Sequence, residues 1–338
     1  MNPSELPPNV AVFQIASAAM ASQALWVVAE LGVADHVPDE GLDVPAIARA
    51  AGADPDTLYR VMRLLASMGV FHERDGQQFG HTPLSQTLRS DHPARARAAV
   101  RLIAMPPFWK AMGDLEHSVR TGEPAWSKSH GMSVFDYLGQ HPEEAALFND
   151  AMIGIHGSEP PAVAEAYDFS GMKTVVDVGG GTGNLLIHIL RRHEHLSGIL
   201  FDLPQAAEPA RERLAAEGLA QRCRVEPGSF FEKVPTGADA YLLSHVIHDW
   251  DEATCLRILS TCRLAIKGDA KLLLVEMVVP GPNQPHPAKA LDLVMLTIPG
   301  GRERTAAEYG DLLGQAGLRL QRVIPTASPV SIVEAALA

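Results

Sequence analysis

Cysteine is scarce in this chain. Only Cys223, Cys255 and Cys262 occur in 338 residues, an odd number with no C-x-x-C spacing. That argues against a disulfide framework and a cysteine-ligated zinc site, and it fits a reducing cytoplasm. Basic charge is short as well: 28 Lys and Arg stand against 40 Asp and Glu, a net charge of −12. Phosphate backbones and anionic membranes both attract cations, so neither nucleic acid nor a membrane surface is an expected partner. Repeats and low-complexity runs are absent. One stretch, Leu6 to Ala29, lacks charge altogether. Gln14, Ser17, Ser22 and Gln23 interrupt it, small alanines dominate it, and no basic segment precedes it. A signal peptide or membrane span is therefore not expected. The expectation is a helix apolar nearly all round, buried inside the protein or against a second subunit.

What is present suits a two-domain globular protein. Hydrophobic residues make up 46% of the chain, and its length divided by about 150 suggests two domains. Residues 1–160 read as mostly helical. A short helix follows Asp43 and closes at Gly52. A second starts with Pro55 and runs to Gly69. VFHERDGQQFGHT alternates around Asp75-Gly76 and predicts a hairpin. Helix, helix and hairpin make a winged helix, which invites a DNA-binding reading. Residues 1–160 hold 11 basic and 19 acidic residues, so the basic face of a DNA reader is missing. A packing or dimerisation scaffold is the better reading. A boundary is expected around Ser158–Pro161.

From Thr174 the texture changes to apolar strands alternating with helices, followed by two strands able to pair. This predicts an α/β, doubly wound parallel sheet with an antiparallel edge over residues 161–338. The first strand, TVVDV, runs into Gly179-Gly-Gly181-Thr-Gly183-Asn184. Glycines there let backbone N–H groups and a helix start approach a ligand. Asp202 ends the next strand, where an acid can take both hydroxyls of a ribose. An adenosyl cofactor follows. The spacing leaves S-adenosylmethionine and NAD both open.

DVGGGTG, FDLP, GSFFE, SHVIHDWDE, VEMVVP and PGGRERT occur in that order. With these motifs the chain resembles the small-molecule O-methyltransferase family, which includes plant caffeic acid and bacterial polyketide and phenazine O-methyltransferases. The resemblance covers nearly the whole chain. It implies a Rossmann-like class I methyltransferase fold, an N-terminal winged-helix dimerisation and substrate-covering domain over 1–160, and an S-adenosylmethionine-binding catalytic domain over 161–338. It implies a homodimer, with Asp177, Gly179, Gly181, Asp202 and Leu203 around the cofactor and Phe230 on its adenine. Ser229 stands where the family usually has Asp, so that contact can be a hydrogen bond but not a charge. Ser244 occupies a position that varies among bacterial members. Asp249 either contacts the cofactor or caps the helix that begins at Asp251.

Methyl transfer to oxygen needs an acceptor placed in line and relieved of its proton. A phenol has a pKa of about 10, and a neutral His is a suitable base near pH 7. There are 14 His, so a lone one means little. His248 follows the fourth strand, at the end of the sheet where ligands bind. It also matches the family's catalytic base, and Glu276 and Glu303 match its acidic partners. That constellation stands in place of the magnesium of catechol-type enzymes, so no metal is expected. Phe148 and Met152 sit at i and i+4, on one helical face. They match family residues that wall the acceptor pocket, with Met105, Trp109 and Met295 as further candidates and Met132 less so. An apolar, sulfur-rich pocket suits a planar aromatic or polyketide-like acceptor. Two other readings stand beside methyl transfer. One is a cofactor-retaining relative that performs hydroxylation or decarboxylation. The other is a ligand-responsive winged-helix transcription factor.

Overall fold

The computed structural model describes residues 6–338. The chain divides into two compact units that interleave in sequence. The first comprises the residues up to Lys110 together with Asp136–Gly157; the second comprises Ala111–Phe135 and Ser158–Ala338. The last crossing, at 157/158, falls at the edge of the Ser158–Pro161 segment. The excursion 111–135 has no counterpart in the sequence reading.

The chain opens with α1 (Pro8–Glu30), β1 (Leu42–Asp43), α2 (Val44–Ala51), α3 (Pro55–Ser67), β2 (Phe71–Arg74) and β3 (Gln78–His81). Asp43 and Asp54 cap α2 and α3 by accepting the Ala46 and Thr57 N–H groups, which each helix start leaves unpaired. The hairpin turns at Asp75-Gly76, where Gly76 takes φ +79°, and the small sheet has the order β1-β3-β2. The predicted winged helix is therefore present. Its core gathers Ile47, Leu58, Met62, Leu65, Phe71 and Phe79.

α1 departs from one part of its expectation. Only Ala24, Val28 and Ala29 are buried, whereas Val12, Phe13, Ile15 and Met20 are 64–72% exposed. The helix is not buried inside its own chain. It is long and apolar enough to cross a membrane by length and composition, with a mean hydropathy of 1.5 in its most apolar window.

The chain continues through α4 (Pro83–Gln86), α5 (Ala96–Ala104), α6 (Pro106–Gly113), α7 (Leu115–Thr121), α8 (Ala125–His130), α9 (Val134–Gln140) and α10 (Pro142–Ile155). In the first unit α10 packs along α5 so closely that a Cβ on Gly154 would stand 2.6 Å from the Arg95 carbonyl oxygen. In the second unit α7 and α8 pack against α15 (Ala288–Thr297).

The second unit is built on a seven-stranded sheet. Its elements are α11 (Glu159–Ala166), β4 (Thr174–Val178), α12 (Asn184–Arg192), β5 (Ser197–Asp202), α13 (Pro204–Ala216), β6 (Cys223–Pro227), β7 (Ala240–Ser244), α14 (Glu252–Ala265), β8 (Lys271–Glu276), α16 (Ala306–Gln315), β9 (Leu318–Pro325) and β10 (Ser331–Leu337). The strand order is β6-β5-β4-β7-β8-β10-β9, parallel as far as β8 and antiparallel at β10 and β9. Residues from α11, α12 and α13 cover one face, and residues from α14 and α16 cover the other. β4, β7 and β8 are accordingly buried almost throughout, as strands covered on both faces must be. Strand order reverses between β4 and β7, the switch point where such sheets bind ligands. Three helices of this unit, α11, α13 and α15, escape the sequence reading. α13 buries only Ala207, Ala210 and Leu214 and carries an internal Pro209, so its apolar stripe is thin. α15 follows a proline-rich stretch.

Candidate active site

The carboxyl ends of β4, β5, β7 and β8 bring Val178, Asp202, Ser244 and Glu276 to one rim of the sheet. Beyond Val178 the backbone turns through the glycine loop into α12. Gly183 caps α12 at φ +82°, and a Cβ there would stand 2.6 Å from Leu200 Cδ1, so only glycine fits. The loop is tied on two sides. Gly181 N–H donates to Asp202 Oδ2 at 2.7 Å, and Leu203 N–H donates to Asp202 Oδ1 at 2.6 Å. From α13, Arg213 donates to Thr182 Oγ1 at 3.0 Å and to Asn184 Oδ1 at 2.9 Å. Arg213 carried no signal in the sequence, because its partners lie 31 and 29 residues away.

Asp177 lies beneath the loop, 1% exposed, and neither carboxyl oxygen has a hydrogen-bond partner. Burial, followed by the negative charge of Asp202, pushes its pKa up to about 7. Two carboxyl groups thus stand behind a loop that would clash with added side chains. Asp202 keeps lone pairs free beyond its two backbone bonds. This donor set fits a ribose-bearing ligand of positive charge, which would relieve the repulsion between the acids.

On the far side of the loop, a Cβ on Gly179 would stand 3.0 Å from Val246 Cγ2 and 3.5 Å from Phe230 Cε1. Phe230 therefore borders the cradle. It meets Trp250 edge-on at 6.4 Å, and Trp250 stacks on Phe135 at 5.6 Å. Ser229 Oγ accepts the Phe231 N–H at 3.2 Å, a local turn bond. Ser244 is half-buried at the end of β7, and Leu203 is exposed.

After Ser244 the chain passes through His245, at φ +52°, into a short helical turn, Ile247–Asp249, that carries His248. His248 is buried, and its Nδ1 lies 2.7 Å from Glu303 Oε1 and 3.6 Å from Glu276 Oε2. Glu276 acts on the backbone: its Oε1 accepts the Ile247 N–H at 3.0 Å. The segment preceding α16 grips the same turn. Arg302 N–H donates to the His248 carbonyl at 2.8 Å, and Asp292 on α15 accepts the Glu303 N–H at 2.8 Å. Asp249 Oδ1 is 3.5 Å from His248 Nε2. The cap of α14 is Asp251, which accepts the Thr254 N–H.

Burial shifts the acids around this imidazole in one direction. Burial pushes Glu303 up to about 7 and Asp249 up to about 6. Glu276 goes well above the ordinary range through burial, then through the charges of Glu303 and Asp249. In the tautomer that donates Nδ1–H to Glu303, the acceptor nitrogen of His248 is Nε2. Donor atoms of His245, His248 and Glu276 also lie within 4.8 Å of one another, a spacing a metal ion could use. His245 Nε2 is 2.7 Å from Glu159 Oε2.

The pocket candidates fall in both units. Met105 is buried, and Trp109, Phe148 and Met152 are half-buried in the first; Phe148 and Met152 share a face of α10. In the second, Met295 is buried on α15 and Met132 is half-buried. Nearby on α15, Thr297 contacts Met112 Sδ at 3.0 Å.

Comparison with known proteins matches an O-methyltransferase domain over residues 112–319 and an O-methyltransferase dimerisation domain over 13–91. The chain is 43% identical to a phenazine O-methyltransferase of Lysobacter antibioticus, over 98% of this chain and 96% of that one. It is 37% identical to the aclacinomycin 10-hydroxylase of Streptomyces purpurascens, over 88% of this chain and 81% of that one. Among solved structures, the neocarzinostatin-biosynthesis O-methyltransferase in complex with S-adenosylmethionine and 2-hydroxy-5-methyl naphthoic acid superposes with a TM-score of 0.82. That match is 37% identical and covers 94% of this chain and 96% of the other.

Proposed function

The chain belongs to the O-methyltransferase family and is an S-adenosylmethionine-dependent enzyme, and on that footing we propose that His248 takes the proton from a phenolic hydroxyl of an aromatic or polyketide-like acceptor. One observation carries this reading: His248, buried at the rim of the sheet, has its Nδ1 held 2.7 Å from Glu303. S-adenosylmethionine supplies an electrophilic methyl on a sulfonium. The protein's own work is to bind, orient and deprotonate. Asp202, Gly179, Gly181 and Phe230 hold the donor, with Asp177 supporting the loop from beneath. Glu303 fixes the imidazole tautomer and stabilises the imidazolium that forms. Glu276 fixes the turn by its bond to the Ile247 N–H.

The acceptor is assigned to aromatic chemistry because relatives act on phenazines and bind a naphthoic acid. Met105, Trp109, Phe148, Met152 and Met295 are the assigned pocket residues. The enzyme is read as a cytoplasmic homodimer of secondary metabolism that needs no metal, nucleic acid or membrane. The exposed apolar face of α1 is the surface assigned to the partner subunit. A second reading, hydroxylation with the cofactor retained, is favoured by the 37% identity to a named hydroxylase.

Incubation with labelled S-adenosylmethionine and a panel of phenols, naphthols and phenazines, followed by mass spectrometry, separates the two. The transferred methyl carries the label and in its unlabelled form adds about 14 Da, as CH₃ replaces a proton, whereas hydroxylation adds about 16 Da and no label. His248→Ala should keep donor binding by calorimetry and lose about 10²–10⁴-fold in turnover. Turnover like that of the wild type would reject the base. EDTA should leave the rate unchanged.

A further inference from the structure

The His248 turn is held by a group that neither the sequence reading nor the comparisons single out. Arg304 is 3% exposed. Its Nη1 donates to the carbonyl oxygens of Ile247 at 3.2 Å and Arg302 at 3.3 Å, and its Nη2 lies 3.5 Å from Cys255 Sγ. No carboxylate among the described residues comes within 4 Å of it. A buried guanidinium without a direct ion pair is costly, so its position calls for a reason. Ile247 immediately precedes His248. Its N–H is fixed by Glu276, and its carbonyl is fixed by Arg304 and by the Cys255 thiol at 3.2 Å.

Resting on the reading of His248 as the base, we propose that Arg304 is a positioning residue: its two-point hold on Ile247 and Cys255, and its permanent charge beside Glu276 and Glu303, keep His248 in the Nδ1–H tautomer. The groups that feel this cation come from every element around it. They are Glu276 on β8, Cys255 on α14, Glu303 beside it in sequence, and Glu308 and Tyr309 on α16. In each the Arg304 charge favours the ionised form. Removing it would push Glu303 further toward its neutral acid, which holds an Nδ1–H less well.

The test uses the full-length protein carrying ¹⁵N-histidine, with the His248 signals assigned by their loss in His248→Gln. Arg304→Gln is expected to move those signals away from the Nδ1–H pattern and to lower kcat by about tenfold or more. It should raise the acidic limb of kcat/KM by about half a pH unit, while donor affinity stays within about threefold. Arg304→Lys keeps the charge but loses the fork, so its acidic limb should stay in place while kcat falls about fivefold. Unchanged His248 signals in Arg304→Gln would overturn the inference, whatever base the enzyme uses. Wild-type kcat in Arg304→Lys would overturn it as well, including where Arg304→Gln fails to fold. By contrast, full turnover in His248→Gln would reject the base assignment and leave the tautomer measurement standing.

Discussion

Gly301 lies directly on the His248 carbonyl: a Cβ at Gly301 would stand 1.9 Å from that oxygen and 2.5 Å from the Asp249 carbonyl carbon. Both obstacles are backbone, so neither can swing aside. Gly301→Ala must displace the turn that carries His248 or the segment that carries Glu303. The expected cost is about 3 kcal/mol, read as a fall in Tm of several degrees, with most turnover lost. Gly314→Ala is the control. It sits in α16 with open space around it, and should be neutral or stabilising by up to about 1 kcal/mol. Equal effects of the two substitutions would contradict the contact.

Glu303 and Glu276 differ in what they touch, so their amide replacements should differ. Glu303→Gln removes the charge beside Nδ1 and is expected to lower kcat by about 10²-fold or more. In Glu276→Gln the amide oxygen can still accept the Ile247 N–H, and a neutral group replaces an acid already pushed toward neutrality. Its loss should stay under about tenfold. Steady-state kinetics on the two variants decide, and equal losses would undo the assignment of separate roles.

The exposed face of α1 offers a test of assembly. Phe13 and Ile15 are 71% and 72% exposed, and one chain weighs 36.3 kDa. A second copy covering this face would make the double substitution Phe13→Asp with Ile15→Asp intolerable in the dimer. Light scattering should then show the mass fall from two chains to one. A dimer of undiminished mass would place the interface elsewhere.

Stability should fall as pH rises through neutrality. Asp177, Asp249 and Glu303 have folded pKa values near 7, 6 and 7, above ordinary carboxylates. The folded state therefore binds more protons than the unfolded chain between about pH 4 and 7, and their contribution is lost as pH climbs through the folded values. Acids held low by hydrogen bonds or ion pairs, such as Asp54, Asp91 and Asp114, act in the opposite sense only below about pH 4. The donor-free enzyme should melt higher at pH 6 than at pH 8. A flat or rising Tm over that span would show that the three acids are not strained in this way.

Motifs whose chemistry is carried by their own residues were legible in the sequence. The glycine loop, Asp202 at a strand end, and the winged-helix pattern each announce themselves within a few residues. The supports of these motifs were not. Arg304 reaches the Ile247 carbonyl across 57 residues, and Arg213 reaches the loop across about 30, so only the fold brings them together. For α1 the sequence leaves two environments open. Composition reveals an apolar helix but not whether its own chain or another covers it. α13 was passed over because alanine, glutamate and arginine leave little periodic contrast to read.

The interleaving of the two units has a consequence for recombination between relatives. The chain passes from one unit to the other at 110/111, 135/136 and 157/158. A chimera with a single crossover near residue 160 would take residues 111–135 from one parent and the sheet they belong to from the other. Exchanging the first unit cleanly takes three junctions, with that segment travelling alongside the glycine loop. Such a hybrid is expected to melt lower unless α7 and α8 stay with their native α15, so one packed unit is inherited as separate stretches of the gene.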